Sequence, residues 1–429
     1  MSGKAWEEVY LIWRSKSRWA PLGVPAFRSL WLAGGLSWYG DFLTLPALVI
    51  VGFRTGGEAG VGLLVAAQTV PLLILLPLGG HLGDLGDRRR RLIALDLVRG
   101  AVAGLIVVGA HADLLALVAL GVAASRTASA LYDPGRRRLV PVLLPERLVS
   151  AGGSLLSVTS ESSILVAPAL GAALLLVLTP SWLIFLDGCT FLASAALLVR
   201  VGAQPSVLHT RGMAVRQGWA SLRRGFDLLL LDNTIGLFSI QAALGALLAA
   251  VITVYFVPLV HNGLHLGTNQ VGVMYVIVGA ASVAGSAFAL RRPQVRRRSL
   301  VVVGYVHLVA ALFVGLMLGP VGVVLALGTF AGTGALQEVW GLNRVQTTTP
   351  RDGIGQAFGA ALWFQYMGRA LGAIIGGWGA TRLPQADFFA LVVVATVVVC
   401  LLMTISRASL WRRRTINWPP GGPPLPLEP

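Results

Sequence analysis

Apolar segments of about twenty residues, the length needed to cross a hydrocarbon core, recur along this chain from Leu30 almost to its end. Twelve can be counted, near 30–53, 60–80, 93–111, 113–131, 151–178, 181–200, 234–258, 269–290, 299–318, 320–338, 355–378 and 386–406. So much apolar surface cannot be hidden in a water-soluble core. Mean hydropathy is +0.76 and 12% of the residues are charged, against about a quarter in soluble domains. The pattern predicts an all-α membrane protein, because only helices satisfy their backbone groups internally within lipid at this segment length. The third and fourth segments are joined so closely that they must form a tight hairpin.

The formal net charge of +16 invites a nucleic-acid reading, but its placement argues for a topological role. With a cytoplasmic N-terminus, the outer connections carry only Arg54 and Arg382. The inner ones carry Arg88 to Arg91, Arg136 to Arg138, Arg223 and Arg224, Arg296 to Arg298, and Arg412 to Arg414. That asymmetry is the positive-inside pattern, so no nucleic-acid partner is expected and the lipid bilayer is the surface these arginines meet. Nothing in MSGKAWEEVYLIWRSKSRWAPLG has the form of a cleavable signal. Arginine supplies 32 of the 34 basic residues, as a GC-rich, bacterial genome would favour, which places the chain in a bacterial cytoplasmic membrane. Cys189 and Cys400 both fall within apolar segments and are predicted to be free, buried thiols.

The chain also matches itself. APALGA at Ala167 to Ala172 reappears as GRALGA at Gly368 to Ala373, and the arginine runs from Arg88 and from Arg296 each fall between the second and third segments of a six-segment half. The predicted organisation is an N-terminal half over 1–200, a cytoplasmic linker over 201–233, a C-terminal half over 234–406 and a cytoplasmic tail over 407–429. In the linker, RQGWASLRRGFDLLLL has apolar residues at helical spacing among basic ones. It reads either as an interfacial helix or as a solvated connection. From Trp418, WPPGGPPLPLEP is too rich in proline and glycine to hold a fixed structure. Parallel repeats suit secondary transporters, whose halves rock about a central site.

The stretch GGHLGDLGDRRRRL from Gly79 resembles the signature loop between helices two and three of the major facilitator superfamily. FRSLW and GDFLTLPAL within Phe27 to Leu48, LYDPGRRRLVPVLLPERL at Leu131 to Leu148, and VAPALGA extend the likeness to its drug, macrolide and siderophore exporters. The resemblance implies twelve helices in two six-helix halves, with both termini cytoplasmic. It also implies a gating loop made of Gly80, Asp84, Asp87, Arg88 and Arg89, which holds the outward-facing state through charge contacts with helix ends. Leu85 stands where the family often has a basic residue. The fifth segment resembles the family's antiporter motif through Pro168 and Gly171, with Ala167 in place of a glycine. The matching helix eleven carries Gly368, Gly372 and Gly376 at four-residue spacing, a packing face suited to a sliding contact. The same glycines do not make a phosphate loop, since the only lysines are Lys4 and Lys16 and no GxxxxGK[ST] exists.

Charges within a bilayer cost roughly 2.5–3.5 kcal/mol each at a helix centre on insertion scales and so mark function by default. Asp41, Arg126, Glu161 and Arg369 are the coupling or substrate candidates, with Asp41 foremost because it lies midway through its segment. Arg126 could equally reach the interface; by resemblance it partners a protonatable acid. Glu161 and Arg369, on helices five and eleven, would face each other across the halves. Asp187, near the end of its segment, reads as structural. His307 reads as a packing histidine, and HNGLH at His261 to His265 offers too few ligands for a metal. Trp363, Phe364, Gln68 and Gln241 are either cavity lining or ordinary packing.

Together these residues predict a secondary transporter that exports a small or medium organic molecule by proton antiport, with protonation of Asp41 or Glu161 biasing the two states. No cofactor or metal is expected, and protons are the expected coupling ion. Uptake, or lysophospholipid movement, is the alternative within transport. A membrane-embedded transferase is disfavoured by short loops and dispersed charges, and a non-transporting scaffold would share the fold.

Overall fold

Helices dominate because the apolar segments have no water to satisfy their backbone in a bilayer, and local signals set where each begins. The computed structural model describes residues 19–82, 87–202 except 138, 220–229, 233–258, 268–291, 297–315, 319–349, 354–383 and parts of 387–402. The helices are α1 (Pro25–Leu43), α2 (Leu45–Leu82), α3 (Arg88–His111), α4 (Leu115–Arg137), α5 (Glu146–Leu174) and α6 (Pro180–Val199). They continue as α7 (Asn233–Pro258), α8 (Thr268–Arg291), α9 (Arg297–Gly315), α10 (Gly319–Thr348) and α11 (Ile354–Gly379). Proline opens α1 and α6, where its missing N–H costs nothing. Asp87 caps α3, its carboxylate accepting from the Arg89 and Arg90 amides at 3.0 and 3.3 Å, which offsets the run of arginines in the first turn.

Two breaks matter for the site. Gly56 and Gly57 interrupt α2, and Gly57 takes a φ of 59°, a left-handed conformation that glycine adopts without penalty. The chain therefore turns back within α2, and its first arm extends the path of α1. In α5, Glu146–Ile164 and Val166–Leu174 meet at 42°. Pro168 causes this bend, since it removes the hydrogen bond to residue 164 and its ring presses on that carbonyl. The α3–α4 connection is as tight as expected, with Asp113 at φ 53°.

Among the described residues six stretches are long and apolar enough to cross a membrane, or seven with bent α5 taken as one; the first, Pro25–Leu75, contains the α2 turn. The chain is a multi-pass membrane protein. Large apolar side chains such as Leu105, Val108, Leu120, Trp182, Phe185, Val321 and Leu325 point outward, while the polar groups described below are buried. Cys189 belongs to the outward set and is exposed, which corrects the expected burial: α6 turns Asp187, Gly188 and Phe191 inward, and helical geometry sends residue 189 to the other side.

α1 packs between α5 and α6, α3 against α4 and α6, and α2 against α4; in the second group α7 packs on α9 and α11, and α10 on α8 and α9. The groups meet where α2 packs on α11 and α7, and where α5 packs on α8. The expected facing of helices five and eleven is therefore corrected. A repeat with near-twofold symmetry exchanges α5 with α11 and α2 with α8, so each contact pairs unlike helices. Residues 220–229 are helical and anchored, with Leu222 and Leu229 buried and Phe226 edge-on to Trp363 and Phe364 at 5.4 and 5.1 Å.

Candidate functional site

The centre of the first helix group holds a dry cluster of charges. Arg99 sits on α3 eleven residues beyond Arg88, about 16 Å along the helix axis. Only 1% of its side chain is exposed. Its guanidinium pairs with one carboxylate oxygen of Asp41 on α1, donates to Ser37 Oγ at 2.7 Å, approaches Asp96 at 3.5 Å and lies 3.8 Å from the centre of the Phe191 ring. Arg126 on α4 takes the other Asp41 oxygen at 3.1 Å and also reaches the Asp41 carbonyl at 3.3 Å. One carboxylate thus ties three helices together through two arginines.

The shell around this pair extends to α6. Ser194 donates to Asp96 at 2.6 Å and lies 3.1 Å from the Tyr132 hydroxyl. Nearer the arginine-rich end, Arg136 is fully buried over Trp38, 3.3 Å from the ring centre, and pairs with Asp133. Lone buried charges are costly and pairs less so, which is why these groups appear as a network. A small cavity lies beside Asp41, lined by Thr44, Ser125, Arg126, Asp187 and apolar neighbours. At about 20 Å³ it has room for a water molecule and none for an organic solute.

Of the expected coupling residues, Asp41 and Arg126 come together, and Arg126 turns inward instead of reaching the interface. The Glu161 side chain lies outside the described residues. Arg369 is on α11, one turn beyond Tyr366. Asp187, expected to be structural, lines the cavity. Asp96 and Arg99 were not singled out, because they lie at the start of their segment near the arginine run. Their signal was an acid and a base three residues apart within apolar sequence.

In the gating loop Asp84 falls outside the described residues, and Gly80 lies within α2. Asp87 is the α3 cap, Arg88 opens α3, and Arg89 donates to the Leu198 and Val199 carbonyls at the end of α6, at 3.2 and 2.8 Å. Gly171 lies hard against the Leu43 carbonyl of α1, Gly368 and Gly372 against the Ala243 and Leu247 carbonyls of α7, and Gly376 against Val254. These packing faces therefore lie within each group. Between groups the close approaches are Gly62 to Ala373 and Gly377, and Gly279 to Ala169. The Trp363 indole also donates to the Leu73 carbonyl at 3.1 Å. Gln241 and His307 are buried in the second group. Gln241 donates to the Val301 carbonyl at 3.3 Å, and the His307 ring stacks on Phe330 with Nδ1 2.8 Å from its carbonyl. Among the described residues no group of three metal-ligating side chains occurs.

A profile of the Major Facilitator Superfamily matches residues 30–373. The chain is 26% identical over 399 residues to the enterobactin exporter EntS of Citrobacter koseri, covering 89% of this chain and 93% of that one. Its fold is similar to that of the nucleoside transporter NupG, with a TM-score of 0.63 at 12% identity over 90% of this chain and 99% of that one. A POT family transporter solved with 5-aminolevulinic acid superposes with the same TM-score, 0.63, at 12% identity, over 90% of this chain and 96% of that one.

Proposed function

Because this chain belongs to the Major Facilitator Superfamily, a family of transporters and not of enzymes, we propose that it exports a small or medium organic molecule by proton antiport with alternating access. The substrate would be drug-, macrolide- or siderophore-like, moved out across the bacterial cytoplasmic membrane. In this reading twelve crossings form two halves, over 1–200 and 234–406, joined by a cytoplasmic linker over 201–233, with both termini cytoplasmic. Pro168 and the glycine faces on α5 and α11 let the helices shift. Arg89 and Asp87 fix the start of α3 against α6, the local part of a gate completed by Asp84 and Gly80.

The observation that carries this reading is Asp41 held between Arg99 and Arg126 on three helices. A charge network this dry has two arrangements whose balance one proton can change, as coupling requires. An exporter relative at 26% identity favours outward movement. Efflux from vesicles carrying the protein, using macrolides and fluorescent dyes, tests it. Extrusion should stop on adding an uncoupler and in Asp41→Asn. Extrusion that continues undiminished without a proton gradient would sink the antiport.

A further inference from the structure

Among the described residues Asp187 differs from the other acids of the cluster in having no basic group within ion-pair distance. We infer that Asp187 is the group that takes up and releases the coupling proton, while Asp41 remains an ion-paired latch; this rests on the antiport reading and deepens it. In the cluster Asp41, Asp96 and Asp187 bring three carboxyls and Arg99 and Arg126 two guanidiniums; Asp41, Arg126 and Asp187 line the cavity itself. Asp41 receives both arginines, and Asp96 receives Arg99 with the Ser194 hydroxyl. Asp187 has only the Thr190 hydroxyl at 3.4 Å, although it is 92% buried by its 8% exposure. A site this dry is stable when its charges balance, and one proton on the acid with the weakest partners achieves that.

Among the described residues the neighbouring helices offer no further cation that is not already ion-paired. α1 presents Asp41, α3 presents Asp96 and Arg99, and α4 presents Arg126, the Tyr132 hydroxyl bound at Ser194, and Arg136 already paired with Asp133. The stretch of α2 that lines the cavity brings Leu48. One Asp187 oxygen and the Thr190 hydroxyl press against Gly40, in space a Cβ there would occupy, one residue before Asp41. The acid is therefore set on the backbone of the latch and opens on a cavity with room for one water.

The step is a simple transfer. The O–H bond of the Asp187 carboxyl breaks and a new O–H bond forms on the cavity water, which passes the proton on to solvent and leaves a carboxylate. The new charge then competes with Asp41 for Arg126, which lines the same cavity, and loosens the tie between α1 and α4. Binding of a proton at Asp187 returns Arg126 to Asp41 and restores that tie.

Infrared difference spectroscopy across a pH titration, on purified protein in lipid, reads the protonated carboxyl directly and needs no substrate. The wild type should show a titrating buried carboxyl band, lost in Asp187→Asn and shifted in frequency in Asp187→Glu. A wild type without the band, or a band unchanged in either variant, overturns the assignment. Should Asp187→Asn not fold, Asp187→Glu decides alone. In vesicles Asp187→Asn should retain substrate exchange while losing gradient-driven accumulation at least tenfold. A band that behaves as expected with no compound moved would instead count against the export reading and leave the proton site standing.

Discussion

The two helix groups bury polar centres at matching places and build them from different chemistry. Gln241 on α7 follows Asp41 on α1 by 200 residues, and His307 on α9 follows Arg99 on α3 by 208, close to the spacing of the repeated motifs. In the first group these positions form a doubly bridged ion pair. In the second, Gln241 binds a backbone carbonyl and His307 stacks on Phe330 beneath another carbonyl. The amide and the imidazole can be satisfied without net charge, so nothing in that centre has to change when a proton moves. A carboxylate between two arginines depends on every charge near it. On the antiport reading, the first centre is the one a proton can change and the second is not.

The largest effect should come from opening the responsive centre. Arg99→Leu removes one side of a buried bridge and leaves Asp41 and Asp96 with one cation fewer, at a cost of about 3–5 kcal/mol, to be read by thermal unfolding in lipid or detergent. Copying the second half into the first, with Asp41→Gln and Arg99→His together, should cost clearly less than that single change while leaving no gradient-driven transport. A double variant as unstable as Arg99→Leu would break the comparison.

Next comes the contact between groups. A Cβ at Gly62 would lie 2.8 Å from the Ala373 carbonyl and 2.9 Å from Gly377 Cα, so Gly62→Leu should hold α2 off α11. An overpacking cost of about 1–3 kcal/mol on that contact corresponds to about 5- to 150-fold in the balance of states. Labelling of cysteines introduced beside Gly57 would report the shift. His307→Phe should lose about 1 kcal/mol for the hydrogen bond and keep coupled transport within about threefold of wild type. A complete loss of coupling there would mean that the second half responds too. Cys189→Ser, on the exposed face, should change stability by no more than about 0.5 kcal/mol.

Much of the fold was legible because a bilayer imposes a length on every apolar segment. The α3–α4 hairpin and the special place of Pro168 in α5 could be read from residues, whereas the arginine run read as a connection is the first turn of α3. Asp41 was legible too, as a charge with no way to reach water, while Arg126 read equally as a residue that reaches the interface and as the partner of an acid. Asp96 and Arg99 were obscured by the arginine run just before them, and Asp187 by its distance from the centre of its own segment. Depth along one helix says nothing about which neighbour a side chain meets.

The sequence by itself determined a helical membrane chain with repeated motifs and arginine runs gathered in alternate connections, because those follow from composition, spacing and the cost of charge in lipid. Only the tertiary structure decided that α5 meets α8 and α11 meets α2, that Cys189 faces outward, and that Asp41, Arg99, Arg126 and Asp187 share one dry centre. Such partnerships depend on how helices far apart in the chain rotate and cross, which no local pattern records.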